Sequence, residues 1–393
     1  MSITIRPIEG EEMLETLYLL NSYSMHPSPP FQDREAWMTD VKGRQGITCH
    51  AAFEDDKPVS ISASTSMTQN IRGKLFPASG IWGVSTDPAV RRKGYCRQVM
   101  VSLLAAERGT GKAFSNLYPF RESFYERLGY VAFPLMKIAR FSVSTLPKLV
   151  KLDLDGEIKQ ELIGQAFPAY REYLAEMRLH KHGMAFFDFG NQARADQNLV
   201  WVAWAIFNGK AEGLMLYRTT GEEVSKYHFI ASRFYYQTSR ARYLLLAWMA
   251  RHIDQVDQVE LWLPEDEYPE TWLADMEVKV ESPVRPAMCR VLDVAKINGM
   301  QVGEGSFSAH IIDPLCPWNE GNWSFNSHNG ELSVSKSSSA DCELTIQGLS
   351  AMIAGTRDPQ EFSIRGWGNP SPELQIRLRI LFPPMRPFMH EMF

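Results

Sequence analysis

Val84-Ser85-Thr86-Asp87-Pro88-Ala89-Val90-Arg91-Arg92-Lys93-Gly94-Tyr95-Cys96-Arg97 is the stretch on which the reading of this chain turns. The apolar run Ser79 to Val84 leads into it as a strand. Asp87-Pro88 ends that strand, because proline restricts the residue before it and cannot continue a ladder. Beyond Gly94, apolar residues recur at Cys96, Val99/Met100 and Leu103/Leu104, a helical period that runs out near Gly109. A short basic loop therefore joins a strand to a helix N-terminus. There the first-turn amides lack intrahelical acceptors and the helix dipole adds partial positive charge. Gly94 lets backbone approach a ligand closely, and Arg91, Arg92, Lys93 and Arg97 add charge, so the loop suits a phosphorylated ligand. It contains neither Gly-x-x-x-x-Gly-Lys-Ser/Thr nor Gly-x-Gly-x-x-Gly, which sets it apart from the two common phosphate loops.

Upstream, Ile3 to Pro7 reads as a strand, followed by a helix with Met13, Leu17 and Leu20 on one face. The segment Met25 to Phe31 holds three prolines and cannot be regular; it either covers a cleft or simply connects. Thr48 to Phe53 and Val59 to Met67 read as strands joined by the polar turn Glu54-Asp55-Asp56-Lys57. Downstream, Ala113 to Tyr118 is a further strand broken by Pro119. Glu122 to Leu128 then forms a short helix closed by Gly129, a residue suited to a left-handed C-cap.

After a linker at about 141–155 the pattern repeats. A helix is expected over Leu162 to Met177, strands over Trp201 to Phe207, Ala211 to Tyr217 and Lys226 to Ser232, a helix from Ser239 to His252, and a strand from Val259 to Leu263. Asn208-Gly209 closes a hairpin. The loop of this second pass, Ser232 to Ser239, has no glycine and is filled with aromatics. From Ala287 the composition shifts to a smaller α+β pattern. Strands are expected at Ala287 to Ile297 and Gly305 to Ile312, a hairpin around Asn329-Gly330 and a helix near Leu349 to Ala354, with Leu374 to Leu381 ending the regular structure before Pro383-Pro384.

The chain has 393 residues, which suggests two or three domains, because single cores rarely grow past about 250–300 residues. A net charge of −5 disfavours a nucleic-acid surface. The start lacks the apolar core of a signal peptide, and no uninterrupted apolar run reaches membrane-spanning length. Five scattered cysteines match neither a disulfide framework nor zinc spacing, and His180-Lys181-His182 has no metal-ligand partner nearby, so no metal is expected. The expectation is a soluble cytoplasmic protein with reduced thiols.

Arg91-x-x-Gly94-x-Cys96 resembles the acetyl-CoA loop of the GNAT (Gcn5-related) N-acetyltransferases, with Cys96 where that motif carries Gly or Ala. The strand and helix order agrees with that fold. With the segment Phe124-Tyr125-Glu126-Arg127-Leu128-Gly129-Tyr130 and the apolar end at Phe393, nearly the whole chain resembles the Eis (enhanced intracellular survival) family. The resemblance implies an α+β, mixed α/β fold with three domains. Residues 1–145 would be a catalytic GNAT domain, 146–286 a degenerate GNAT copy without cofactor binding, and 287–393 a sterol-carrier-protein-2-like domain. It implies acetyl-CoA as co-substrate, a primary amine acceptor (aminoglycoside, polyamine or lysine-like), and a hexameric homo-oligomer. Tyr125 would be the general acid and the carboxylate of Phe393 the base. Val84, Ser85, Thr86, Arg92, Lys93 and Gly94 would contact the cofactor, with Tyr95, Cys96, Arg97 and, more weakly, Phe120 and Arg121.

The chemistry stands beside the resemblance. Acetyl transfer from a thioester to an amine needs a neutral nucleophile, an oxyanion donor and a proton for the leaving sulfur. A phenol is protonated at neutral pH and can supply that proton. The apolar tail Pro383 to Phe393 should dock rather than fray, against the usual behaviour of chain ends. Tyr130 competes as donor but is better placed for packing. Trp37 and Trp82 either line an amine pocket or pack in the core, and Glu391 is an acidic candidate beside the terminus. His26 and His390 are lone histidines, weaker as bases. Longer-chain acyl transfer, as in protein N-myristoyltransferases, and a non-catalytic CoA- or lipid-binding role are the alternatives.

Overall fold

The computed structural model describes residues 2–282 and 285–393. The chain begins with β1 (Ile3–Pro7), α1 (Gly10–Ser24), α2 (Arg34–Lys42), β2 (Ile47–Glu54), β3 (Lys57–Ile71), β4 (Lys74–Thr86), α3 (Tyr95–Gly109), β5 (Phe114–Leu117), α4 (Glu122–Glu126) and β6 (Val131–Ala132). The sequence pattern anticipates all of these except α2 and the two-residue β6. That helix follows the proline-rich segment and starts where the Asp33 carboxylate accepts the Ala36 amide at 3.0 Å. β1 to β4 form an antiparallel series, while β4 and β5 run parallel.

Then come β7 (Lys137–Ser142), β8 (Glu157–Leu162), α5 (Ile163–His180), β9 (Ala185–Phe187), α6 (Gln192–Gln197), β10 (Trp201–Phe207), β11 (Lys210–Thr220), β12 (Tyr227–Tyr236), α7 (Ser239–Ala250), β13 (Val256–Leu263) and β14 (Lys279–Glu281). Seven strands form the sheet β14-β7-β13-β12-β11-β10-β8. The expected long aromatic loop is corrected here: β12 runs on through Tyr236, leaving only Gln237-Thr238 before α7. Phe234 and Tyr236 share one face of the strand, Phe234 stacked on Trp272 in the core and the Tyr236 hydroxyl donating to Glu267 at 2.5 Å. Thr238 caps α7, and the Glu212 carboxylate accepts from Thr238 (2.7 Å) and from Arg240 (2.8 Å). A carboxylate therefore already neutralises this helix start, which is a physical reason for it not to take a phosphate.

The last part holds β15 (Met288–Val291), β16 (Ser306–Ile312), β17 (Gly321–His328), β18 (Glu331–Lys336), β19 (Cys342–Thr345), α8 (Ile346–Ala354), α9 (Phe362–Arg365) and α10 (Pro372–Leu381). The strand expected over Ala287 to Ile297 shortens to β15, which inserts between β5 and β6 in the first sheet. Arg290 explains the placement. It is fully buried, ion-paired with Asp313, and donates to the Leu128 carbonyl at 2.6 Å. Asp313 also accepts from Asn319 at 2.8 Å. Removing one partner of such a buried pair costs about 3–5 kcal/mol. β18-β17-β16-β19 form a four-stranded sheet whose apolar face, with Phe307, Phe325 and Leu344, packs with Leu349, Ile353 and Leu378 of α8 and α10.

By contacts the chain gathers into two compact units, one of residues 1–134, 177–190 and 285–393, the other of 135–176 and 191–284. Among the described residues no helix is long and apolar enough to cross a membrane, and no group of His, Cys, Asp or Glu side chains is arranged to hold a metal ion.

Candidate functional site

The basic loop begins at Asp87, whose carboxylate accepts the Ala89 amide at 2.9 Å and starts a single 3-10 turn. Arg92 (φ 71°) and Gly94 (φ 86°) both take the left-handed conformation, so the chain coils into a concave turn of backbone before α3. A non-glycine residue held there costs about 1–2 kcal/mol, strain of the kind found at ligand sites. Gly94 is the N-cap of α3 and has no side chain to cap it. The first-turn amides of Tyr95, Cys96 and Arg97 are thus left for an anion. The contrast with α7, capped by Thr238, is local and complete. Lys93 and Tyr95 act differently from Arg92. The Lys93 ammonium lies 2.9 Å from Glu54, the Tyr95 hydroxyl donates to Glu54 at 3.1 Å, and the Tyr95 ring is buried. Their contribution to an anion would come through backbone. Replacing Gly94 by Val should raise the KM for acyl-CoA by about tenfold or more while kcat changes little, since it strains the turn that presents the amides; titration calorimetry with CoA checks this.

The groove continues along β4. Its parallel register with β5 ends at Ile81 and Leu117, yet β4 runs on to Thr86. Just beyond the split, Gly83 and Val84 together face Ser62, a β-bulge with Gly83 at φ 62°. Asn21 of α1 presses on this bulge: a Cβ added at Gly83 would lie 2.9 Å from its amide nitrogen. The Ser85 hydroxyl donates to Asn21 Oδ1 at 2.6 Å. Beyond Ile81 the edge of β4 that faced β5 pairs with no strand among the described residues.

Alternation assigns the two faces of the sheet. Ile81 and Leu117 face α3 and share a cluster with Met100, Tyr125 and Tyr130. Gly80 and Trp82 face α1 and the chain end. Tyr125, on α4, is 3% exposed, wedged edge-on against Phe124 (5.0 Å) and Phe120 (5.8 Å). Its hydroxyl has no hydrogen-bond partner among the described residues. Burial pushes its pKa well above the ordinary phenol value, with Cys96 and Tyr130 adding to the effect. Tyr130, also pushed up by burial, shares a 2.7 Å hydrogen bond with Ser115, so its hydroxyl is already engaged. Cys96 is half-buried and its thiol is pushed up to about 11 by burial, against a hydrogen bond with Thr86. Phe120 is exposed and Arg121 precedes α4 beside it.

The tail docks on the other face. The Phe388 amide donates to His182 O (2.9 Å) and the Glu391 amide to Ala185 O (3.1 Å), so residues 388–391 run alongside 182–185 in the same direction. The Glu391 carboxylate accepts the Phe187 amide at 3.2 Å. The Phe393 ring packs against Tyr118 (5.6 Å) and Phe187 (5.5 Å). A Cβ added at Gly80 would lie 2.7 Å from Met67 Sδ and 3.1 Å from that ring, so glycine makes room for both side chains. Tyr125 and the Phe393 ring thus sit on opposite faces of one sheet.

Trp37 and Trp82 belong to one cluster with Met13 and Ile47 under α1 and α2. The Trp82 indole N–H donates to Thr65 at 2.9 Å and Arg44 stacks over its ring at 4.7 Å. Glu391 lies along β9 instead. His26 is exposed, His390 is buried beside Phe186 (6.3 Å), and His182 is buried between backbone groups. Residues that sequence reading missed are Asn21, Gly80, Arg72 and His182. Only the small Gly80 within an apolar strand hinted at its role.

Family models describe the chain in three pieces: an acetyltransferase (GNAT) domain over residues 4–133, a second acetyltransferase (GNAT) domain over 184–291, and a sterol carrier protein domain over 296–390. Among solved structures the chain is similar to a GCN5-related N-acetyltransferase from Anabaena variabilis (TM-score 0.83, 17% identity, 98% of this chain and 99% of that one). It is equally similar to a probable N-acyltransferase of unknown function from Enterococcus faecalis (TM-score 0.83, 19% identity, 100% of both chains). A third likeness is to Eis1 from Mycobacterium abscessus (TM-score 0.77, 16% identity, 100% of both chains). No curated protein matches the sequence significantly.

Proposed function

Because the chain belongs to the GNAT acyltransferases, with the Eis-like order of two GNAT domains and a sterol carrier protein domain, we propose that it moves an acetyl group from acetyl-CoA directly to a primary amine. Domain boundaries near residues 145 and 286 are part of this reading. The observation that carries it is Tyr125, buried in one cluster with Ile81 and Leu117 at the end of the β4–β5 pairing, its hydroxyl without a hydrogen-bond partner among the described residues.

The pyrophosphate would rest on the amides after Gly94, with Arg92 and Arg97 adding charge, and the pantetheine arm would lie along Val84 to Thr86. The amine nitrogen attacks the thioester carbonyl, the C–N bond forms, and the C–S bond breaks. Tyr125 gives its proton to the departing sulfur, and the Phe393 carboxylate, directly or through water, takes one from nitrogen. A carboxylate is a weak base for a free ammonium but adequate once nitrogen has attacked, because that N–H is far more acidic. The raised pKa of Tyr125 makes it a reluctant acid, yet a leaving thiolate held in the same buried surroundings would be disfavoured too. Cys96, in the same surroundings, shows how strongly that environment disfavours a thiolate. Proton transfer between two such groups is closer to balanced than their solution values suggest. Tyr125 regains its proton from solvent as product leaves.

The test is acyl-CoA consumption over a panel of polyamines, aminoglycosides and lysine peptides, run with acetyl-, octanoyl- and myristoyl-CoA. Turnover with acetyl-CoA and at least one primary amine is expected; preference for a long chain, or no turnover with tight CoA binding, would overturn the reading. Since Cys96 is held as a neutral thiol, Cys96→Ala should keep most of the activity and no acyl-enzyme should appear in mass spectra.

A further inference from the structure

Arg72, in the turn between β3 and β4, is a fully buried cation that no carboxylate faces among the described residues. Its Nε donates to Ile353 O (2.8 Å), and its Nη2 donates to Met352 O (2.9 Å) and Pro383 O (3.0 Å). The Phe382 ring lies 5.3 Å from the guanidinium. Two of the three carbonyls end α8, where the helix dipole is negative and favours a cation. The third opens the tail. The next α8 carbonyl, Ala354 O, takes the N–H of His182 Nε2 at 3.0 Å, while His182 Nδ1 accepts the Arg72 backbone amide at 3.0 Å. This fixes the neutral Nε2–H tautomer, and burial holds the ring's pKa down to about 4. The carbonyl of the same His182 then receives Phe388 N.

The tail needs such help. Pro383, Pro384 and Pro387 have no N–H, so this segment cannot build a ladder of its own between α10 and Phe388. We infer that Arg72 is the positioning residue for the chain terminus: by tying Pro383 to the end of α8, and through His182 to Phe388, it sets where the Phe393 carboxylate arrives. The fork of a guanidinium suits the task, because it reaches two segments at once where an ammonium is a single point. The inference rests on the proposed role of that carboxylate, and its test separates the two.

The variants are Arg72→Met, Arg72→Lys and Gly183→Ala, made in the full-length chain. Gly183→Ala leaves Arg72 alone and lifts the tail from its other side: the new Cβ would lie 2.6 Å from Pro387 Cβ and 2.8 Å from the Phe388 nitrogen. Native-state release of Phe393 by carboxypeptidase is followed by mass spectrometry, beside melting temperature, CoA affinity and kcat. Release should quicken by about tenfold or more in Arg72→Met and Gly183→Ala, and less in Arg72→Lys, as expected on losing a charge-assisted hydrogen bond from an ordered segment. kcat should fall by about 10²-fold with CoA affinity kept. Faster release with kcat intact would uphold Arg72 as the tail's anchor and sink the catalytic carboxylate. Unchanged release in variants that still melt cooperatively and bind CoA overturns the inference; so does loss of CoA binding in step with stability, the mark of a purely structural arginine.

Discussion

Tyr125→Phe should lower kcat for acyl transfer by about 10²–10⁴-fold, the range of one general acid, and leave the dissociation constant of CoA nearly unchanged. The substitution removes only a hydroxyl that has no hydrogen-bond partner among the described residues, so stability should hold or rise slightly. Its packing partners Phe120, Phe124 and Tyr130 keep their contacts. Tyr130→Phe is the informative comparison: it orphans Ser115 in the core and should reduce stability more than kcat. Since Tyr125 is held protonated far into the alkaline range, the wild-type kcat should show no falling limb from this group below about pH 10. Near-normal turnover of Tyr125→Phe with its preferred amine would take the residue out of the mechanism.

The second large effect concerns the last residue. Deleting Phe393, or adding a single residue after it, should depress kcat by at least about 10²-fold with CoA binding intact, because one residue moves the carboxylate by roughly 3.3–3.6 Å. Two further variants separate ring from charge. Phe393→Ala keeps a carboxylate but loses the packing against Tyr118 and Phe187. Gly80→Ala keeps the whole residue but places a methyl 2.7 Å from Met67 Sδ and 3.1 Å from the Phe393 ring. Both should fall between wild type and the deletion, with the pH profile displaced little. A chain extended by several residues and still fully active would mean that the carboxylate plays no part.

Much of this was legible from local chemistry. Asp87-Pro88, Gly94 and the helical spacing after it are short-range signals, since proline, glycine and a period of about 3.6 act on their own neighbours. They mark the strand, turn and helix start in the right places, and Gly129 closes α4 as its type suggests. α2 was lost because it is short, half-buried and hidden behind a proline-rich run. The aromatic loop was misread because alternation in Phe234-Tyr235-Tyr236 continues β12, a strand decided by its pairing with β11.

What the sequence by itself determined is the glycine turn before α3, the order of most of the elements and an apolar end too costly to leave in water. Only the tertiary structure decided that β15 completes the first sheet, that Gly80 makes room for Phe393, and that Tyr125 and the terminus approach from opposite faces. The physical reason is range. Turns and helix starts are set by residues a few positions apart, whereas Arg72 meets carbonyls 280 and 311 residues away in sequence, and no local pattern records such a meeting.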